Sequence, residues 1–362
     1  MKKQIIRTLI FILSLFVLGG CAKENRGETQ AETRKGTSAE TIKETTDKKS
    51  PETKPETKDL KAEETELMAP INVTSLKGPT SMGLVKLMED NDNSASHNTY
   101  NFKMVTGADE IVSMLAKKTT DIAMVPANLA SVIYNKTEGD IVALNINTLG
   151  VLYVVERGDT IKSITDLKGK TIYMTGKGTT PEYVITYLLA QNGLAEEDVT
   201  IEYKSEATEV VSILADQEDA IGLIPQPFVT VASSQVEGLH IALDLTEEWN
   251  KVSSEGSLIT GVAIVRKDFL DSYPDAVETF LSEYKASTEY VNSNVEDAAA
   301  LIEKYGIVKA AVAKKALPQC NITYIDGESM KKELNGYLSV LLEQNPQSVG
   351  GQLPDDAFYF IP

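Results

Sequence analysis

Two histidines, two cysteines and one tryptophan in 362 residues leave this chain short of the side chains that most catalysis uses. His97 sits in the polar stretch 90–99 and His240 inside an apparent strand, and neither lies in a glycine turn. No His-Glu-x-x-His, Cys-x-x-Cys, Gly-x-Ser-x-Gly or phosphate-loop pattern occurs, so metal, thiol or triad catalysis has no support and no cofactor or metal is expected. Gly176-Lys177-Gly178-Thr179 lacks the Gly-Lys-Ser/Thr ending of a Walker motif. Arginine is scarce beyond residue 67, where only Arg157 and Arg266 occur. An oxyanion would therefore want for its usual bidentate partner. Of the 35 basic and 53 acidic residues, 13 and 12 lie at or before Leu67, so the rest holds 22 and 41, a net charge of −19. Such a field repels nucleic acid, which requires basic patches.

The N-terminus carries Lys2, Lys3 and Arg7, an apolar run over 9–18, then Gly19 and Gly20. That run is too short to cross a bilayer core of about 30 Å, so residues 1–20 read as an export signal. Leu18-Gly19-Gly20-Cys21 resembles the bacterial lipobox, which makes Cys21 the expected lipidation site and membrane anchor. With Cys21 acylated, Cys320 has no partner for an intramolecular disulfide. Residues 21–67 are rich in Thr, Glu and Lys and contain no aromatic residue. Too little apolar surface exists there to offset the entropy of ordering, so the segment reads as a disordered tether.

The remainder contains a duplication. Lys77-Gly78-Pro79-Thr80 follows an apolar strand pattern, and Lys177-Gly178-Thr179-Thr180 follows another about 100 positions later. Downstream, Ala108 and residues 110–116, then Asp121 and Val125-Pro126, recur as Ala207 and residues 209–215, then Asp219 and Ile224-Pro225. Each copy reads as strand, glycine turn, helix, and each is long enough to bury its own face. Helices that begin just after strands present unpaired N–H groups, positive dipole ends and threonine hydroxyls at a sheet edge. Two lobes facing each other would aim these edges at one volume.

The apolar stretch 141–156, interrupted at Asn145, Asn147 and Gly150, is long enough to pass from one lobe to the other, and 257–265 is the natural return. Helices are predicted over 269–291, 295–305, 309–317 and 329–342, with Gly306 and Pro318 as stops. Alternating strands and helices argue an α/β fold with parallel-rich sheets, whose ligands sit at the carboxyl ends of strands.

In their order and spacing, four strings resemble the lipid-anchored substrate-binding proteins of ABC importers, in the group similar to sulfonate, nitrate and thiamine-precursor binding proteins. They are Asp166-Leu167-Lys168-Gly169-Lys170, Gly178-Thr179-Thr180-Pro181, Asp219-Ala220 ahead of Pro225-Gln226-Pro227-Phe228, and the closing segment 350–359. The resemblance covers the chain from about residue 71 onward. It implies a periplasmic-binding-protein fold of type II, with one lobe from 68–152 and 262–362, the other from 153–261, and two crossing strands that let them close on ligand. It implies no enzyme activity, a small-molecule ligand, a permease and its ATPase as partners, and a monomer. Carried over to this sequence, its ligand contacts fall on Gly78, Pro79, Thr80, Ser81 and Asn128 in the first lobe, and on Gly178, Thr179, Thr180, Gln226 and Phe228 in the second. Asn145 and Asn147 are further candidates, and each position also fits an ordinary cap or turn. The scarcity of arginine favours a neutral or amphipathic organic ligand, such as a pyrimidine, over sulfonate or nitrate, with Phe228, Tyr183 or Trp249 available for stacking. Lys77 and Lys177 are the cations nearest the turns. Two alternatives stay open: an enzyme like the thiamine-pyrimidine synthases that share this fold, and a sensing ectodomain that imports nothing.

Overall fold

The computed structural model describes residues 70–253 and 256–362. The export signal, Cys21 and the tether lie outside the described residues.

The first copy of the repeat builds β1 (Ile71–Leu76), α1 (Pro79–Met82), α2 (Val85–Asp92), β2 (Tyr100–Val105), α3 (Ala108–Ala116), β3 (Ile122–Pro126), α4 (Ala127–Lys136) and β4 (Ile141–Leu149). The chain then enters β5 (Leu152–Glu156), and the second copy builds β6 (Thr171–Met174), α5 (Thr180–Gln191), β7 (Thr200–Tyr203), α6 (Ala207–Asp216), β8 (Ile221–Pro225), α7 (Phe228–Gln235), β9 (His240–Asp244) and α8 (Leu245–Val252). It returns through β10 (Ile259–Arg266) and ends in α9 (Lys267–Ser272), α10 (Pro274–Ser293), α11 (Val295–Lys304), α12 (Ala310–Ala316), β11 (Ile322–Ile325) and α13 (Gly327–Gln344).

The duplication is visible in the strand order. One sheet runs β2-β1-β3-β10-β4-β11 and the other β7-β6-β8-β5-β9. In both, the repeated strands are parallel, and each sheet takes an antiparallel strand from beyond a crossing: β10 between β3 and β4, β5 between β8 and β9. The fully buried β3 reads as an unbroken apolar run for this reason, with strands on both sides and helices on both faces. In α3 and α6 the apolar residues recur at helical spacing, so that Ile111 and Leu115, and Val210 and Leu214, turn inward.

The first crossing is narrower than the sequence suggests. Asn145 and Asn147 lie within β4, held by β10 and β11 on its two sides, and the strand breaks only at Gly150-Val151, both at positive φ. A side chain at Gly150 would collide with Thr246 Oγ1, so this kink requires glycine. The two crossings are bonded to each other: Gly150 N donates to Leu258 O at 2.9 Å and Thr260 Oγ1 donates to Gly150 O. The predicted helix over 269–291 is two helices, because Pro274 lacks an N–H and holds Tyr273 out of the helical region. The short strand β11 after Pro318 was not expected.

Three apolar cores result. One lies between the first sheet and α2, α10 and α11, and one between the second sheet and α6 and α7. The third runs through both sheets. Within it Trp249, wholly buried, packs in tilted contact with Tyr187 and Tyr337, ring centres 4.8 Å and 5.6 Å away, and its Nε1 donates to Gly256 O. Cys320 is buried, which pushes its thiol up to about 12. No described helix is long and apolar enough to cross a membrane.

Candidate functional site

A cavity of about 670 Å³ is walled by six helix starts, three from each copy of the repeat. Corresponding positions face it from both sides: Lys77 and Lys177, Thr80 and Thr180, Thr106 and Ser205, Asp109 and Thr208, Pro126 and Pro225, Leu129 and Phe228. The crossings add Leu152 and Thr260, and the turn between α11 and α12 adds Ile307 and Val308. The parallel strands explain this placement, since both copies send their helix starts to the carboxyl edge of their sheet.

Of the positions singled out by sequence, Pro79, Thr80, Gly178, Thr179, Thr180 and Phe228 line the cavity, as do Lys77 and Lys177. Gly78, Ser81, Asn128, Asn145 and Gln226 stand behind its wall. Ser81 is buried, its Oγ bonded to Ser75 Oγ and Leu76 O. Asn145 is buried in β4 with neither amide atom hydrogen-bonded. Asn147 lies two residues along the same strand and bonds Thr148 Oγ1 and Met124 Sδ. Gln226 Nε2 donates to Gln319 Oε1 at 2.8 Å, and its Oε1 accepts from Thr230. Trp249 belongs to the core, and Tyr183 packs against that core, half-buried, without lining the cavity.

Sequence reasoning missed the starts of α3 and α6. Thr106, Asp109, Ser205 and Glu206 line the cavity, and the matched residues Ala108 and Ala207 had already marked where these helices begin. Ile307 and Val308 carry no such signal.

Two hydroxyls of the wall are arranged to accept hydrogen bonds. Thr80 Oγ1 donates to Leu76 O at 3.0 Å and Thr179 Oγ1 to Gly176 O at 2.7 Å, so each hydroxyl has spent its proton and faces the cavity with lone pairs. The N–H of Gly178 is taken by the Glu182 carboxylate, an anion that the chain supplies to its own helix start. Lys177 Nζ lies 5.5 Å from the Tyr203 ring centre, and Lys204 is paired with Glu202 at 2.9 Å. Both arginines are committed elsewhere. Arg157 donates to the carbonyls of Leu214 and Ala215 at the end of α6, and Arg266 pairs with Asp121 and Asp268. Neither histidine lines the cavity: both are exposed, and His97 is paired with Glu283.

The family model described as NMT1/THI5 like matches residues 106–298, more than half of the chain. The chain belongs to the NMT1/THI5-like family. Among solved structures, this family member is similar to an ABC transporter protein from Parabacteroides distasonis, at 25% identity and a TM-score of 0.64 over 81% of this chain and 98% of that one. It is similar also to the periplasmic aliphatic sulphonate binding protein SsuA from Escherichia coli, at 15% identity and a TM-score of 0.64 over 81% and 92%. The alkanesulfonate-binding protein SsuA from Xanthomonas axonopodis pv. citri, bound to MOPS, follows at 13% identity and 0.62 over 80% and 95%. The last two likenesses establish the periplasmic-binding-protein fold. No functionally curated protein matches the chain.

Proposed function

We propose that the protein is the lipid-anchored, extracytoplasmic binding component of an ABC importer, a monomer without catalytic activity that closes its two lobes on a small organic molecule and presents it to a permease and its ATPase. The observation that carries this reading is the cavity walled by matched helix starts from both sheets. The similar structures named for ABC transport and sulfonate binding support it, and the sequence before residue 68 supports the anchor.

The ligand is read from the wall. A volume of about 670 Å³ exceeds the need of nitrate or a small sulfonate and falls among sites for drug-sized molecules, at about 300–1,000 Å³. Leucine, valine, proline and Phe228 supply much of the surface. Thr80 and Thr179 can accept hydrogen bonds, and the Gly178 N–H is occupied by Glu182. A neutral, largely apolar molecule that offers N–H or O–H donors fits this lining better than an oxyanion does.

A thermal-shift screen of the purified chain against pyrimidines, vitamins, amino acids, sulfonates and nitrate tests the reading. At about 100 times its dissociation constant a true ligand adds about 2.7 kcal/mol. The hit is expected among neutral donor-bearing compounds, and Thr80→Val and Thr179→Val should each weaken it about tenfold, the effect of one hydrogen bond. Stabilisation by sulfonates alone would refute the ligand class, and loss of binding from only one of the two variants would refute the two-sided grip.

A further inference from the structure

The closing segment 345–360 has no place in the cavity, yet it is bound to α4 by a ladder of side chains. Asn128, Ser131 and Asn135 recur at spacings that put them on one face of α4. Ser131 Oγ donates to Val349 O at 2.8 Å, and Asn135 Nδ2 donates to Val349 O at 2.8 Å and Gln352 O at 2.7 Å. Gly350, at φ +87°, lies so close that a Cβ there would come within 3.1 Å of the Val132 Cα. The C-terminal segment is thus a strap laid along α4.

Asn128, at the cavity end of this ladder, binds the strap and the opposite lobe at once. Its Nδ2 donates to Ser348 O at 3.0 Å and to Gly178 O at 3.4 Å, and its Oδ1 accepts from Thr180 Oγ1 at 3.3 Å. Thr180 Oγ1 in turn accepts from Tyr337 Oη of α13 at 3.4 Å. The Asn128 side chain is wholly buried and both amide hydrogens and the oxygen are engaged. Gly178 and Thr180 are cavity wall, whereas Asn128 is not.

We infer that Asn128 is a positioning residue: it fixes the start of α5, and with it the second lobe's side of the cavity, to α4 and the C-terminal strap. This rests on the cavity being the ligand site, but its test does not use ligand. Asn128 acts through Thr180 and Gly178 and does not touch what binds. Replacing it loosens one wall of the cavity while leaving both sheets intact. Ser131, on the same face of α4, holds only the strap.

Hydrogen exchange read by mass spectrometry on the ligand-free full chain separates these roles. Asn128→Ala is expected to speed exchange in residues 178–184 by about tenfold, and also in 348–352, because a buried hydrogen-bonded junction opens. Ser131→Ala should speed 348–352 alone. Thr180→Val should speed 178–184, and the double variant with Asn128→Ala should be no faster there than Asn128→Ala, because the two act through one contact. Asn128→Asp keeps the acceptor for Thr180 and loses both donations, so its effect should be intermediate. It also serves if the alanine variant fails to fold. Wild-type exchange at 178–184 in Asn128→Ala or Asn128→Asp, or an equal rise there in Ser131→Ala, would overturn the inference. A failed ligand screen beside the expected exchange pattern would refute the function reading and leave the positioning role standing.

Discussion

Glu156 shows how one buried carboxylate sets a turn. It ends β5 and is 3% exposed, and its oxygens accept from the Thr160 N–H at 2.8 Å, the Thr160 hydroxyl at 2.6 Å and the Ile161 N–H at 2.8 Å. Burial alone would raise its pKa, but the Thr160 hydroxyl and the two N–H groups outweigh it and hold the carboxyl below the ordinary value. A carboxyl depressed on folding adds stability above its unfolded pKa and gives it up as pH falls through the folded value. Glu156→Gln should therefore cost about 1–3 kcal/mol in urea denaturation at pH 7. The gap should narrow as pH falls from the ordinary carboxyl range through the lowered folded value, where the wild-type carboxyl becomes neutral too. A gap that does not change with pH across the acid range would mean that shape, not charge, holds the turn.

At the scale of elements, the strap makes the sharper prediction. Gly350 and Gly351 both have positive φ, but only Gly350 touches the α4 backbone; a Cβ at Gly351 would meet nothing within 4 Å. Gly351→Ala should cost about 1 kcal/mol for backbone strain alone, and Gly350→Ala measurably more, because α4 must also move. Equal losses in denaturant midpoint would show that the strap is not tightly seated. Element order was the most legible part of the sequence. The paired glycine turns mark matching positions in two sheets. What escaped depends on distant contacts. Asn145 and Asn147 look like strand breakers until β10 and β11 hold β4 from both sides. Asn128 and Gln226 follow strand-ending prolines and so look like ligand contacts, yet Asn128 reaches Gly178, Thr180 and the strap, and Gln226 reaches Gln319. A partner about 50 or more positions away leaves no local trace.

The whole molecule is governed by its charge. The net of −19 over residues 68–362 repels itself across the surface. The ion pairs that oppose it are mostly exposed, and such pairs contribute about 0–1 kcal/mol each. Self-repulsion should win: Tm should rise as sodium chloride is taken from about 0.01 M, where the Debye length is about 30 Å, to about 1 M, where it is about 3 Å. A falling Tm would mean that the ion pairs matter more than the net charge.

The mirrored lining has a consequence for occupancy. A guest turned end for end meets nearly the same surroundings: lysine answers lysine, proline answers proline, and Thr106 answers Ser205. Preference for one direction of entry then rests on the places where the halves differ, chiefly Leu129 opposite Phe228, Asp109 opposite Thr208 and Gly107 opposite Glu206. Phe228→Leu together with Asp109→Thr and Glu206→Gly would erase much of that polarity, and an asymmetric guest would then be held in both directions.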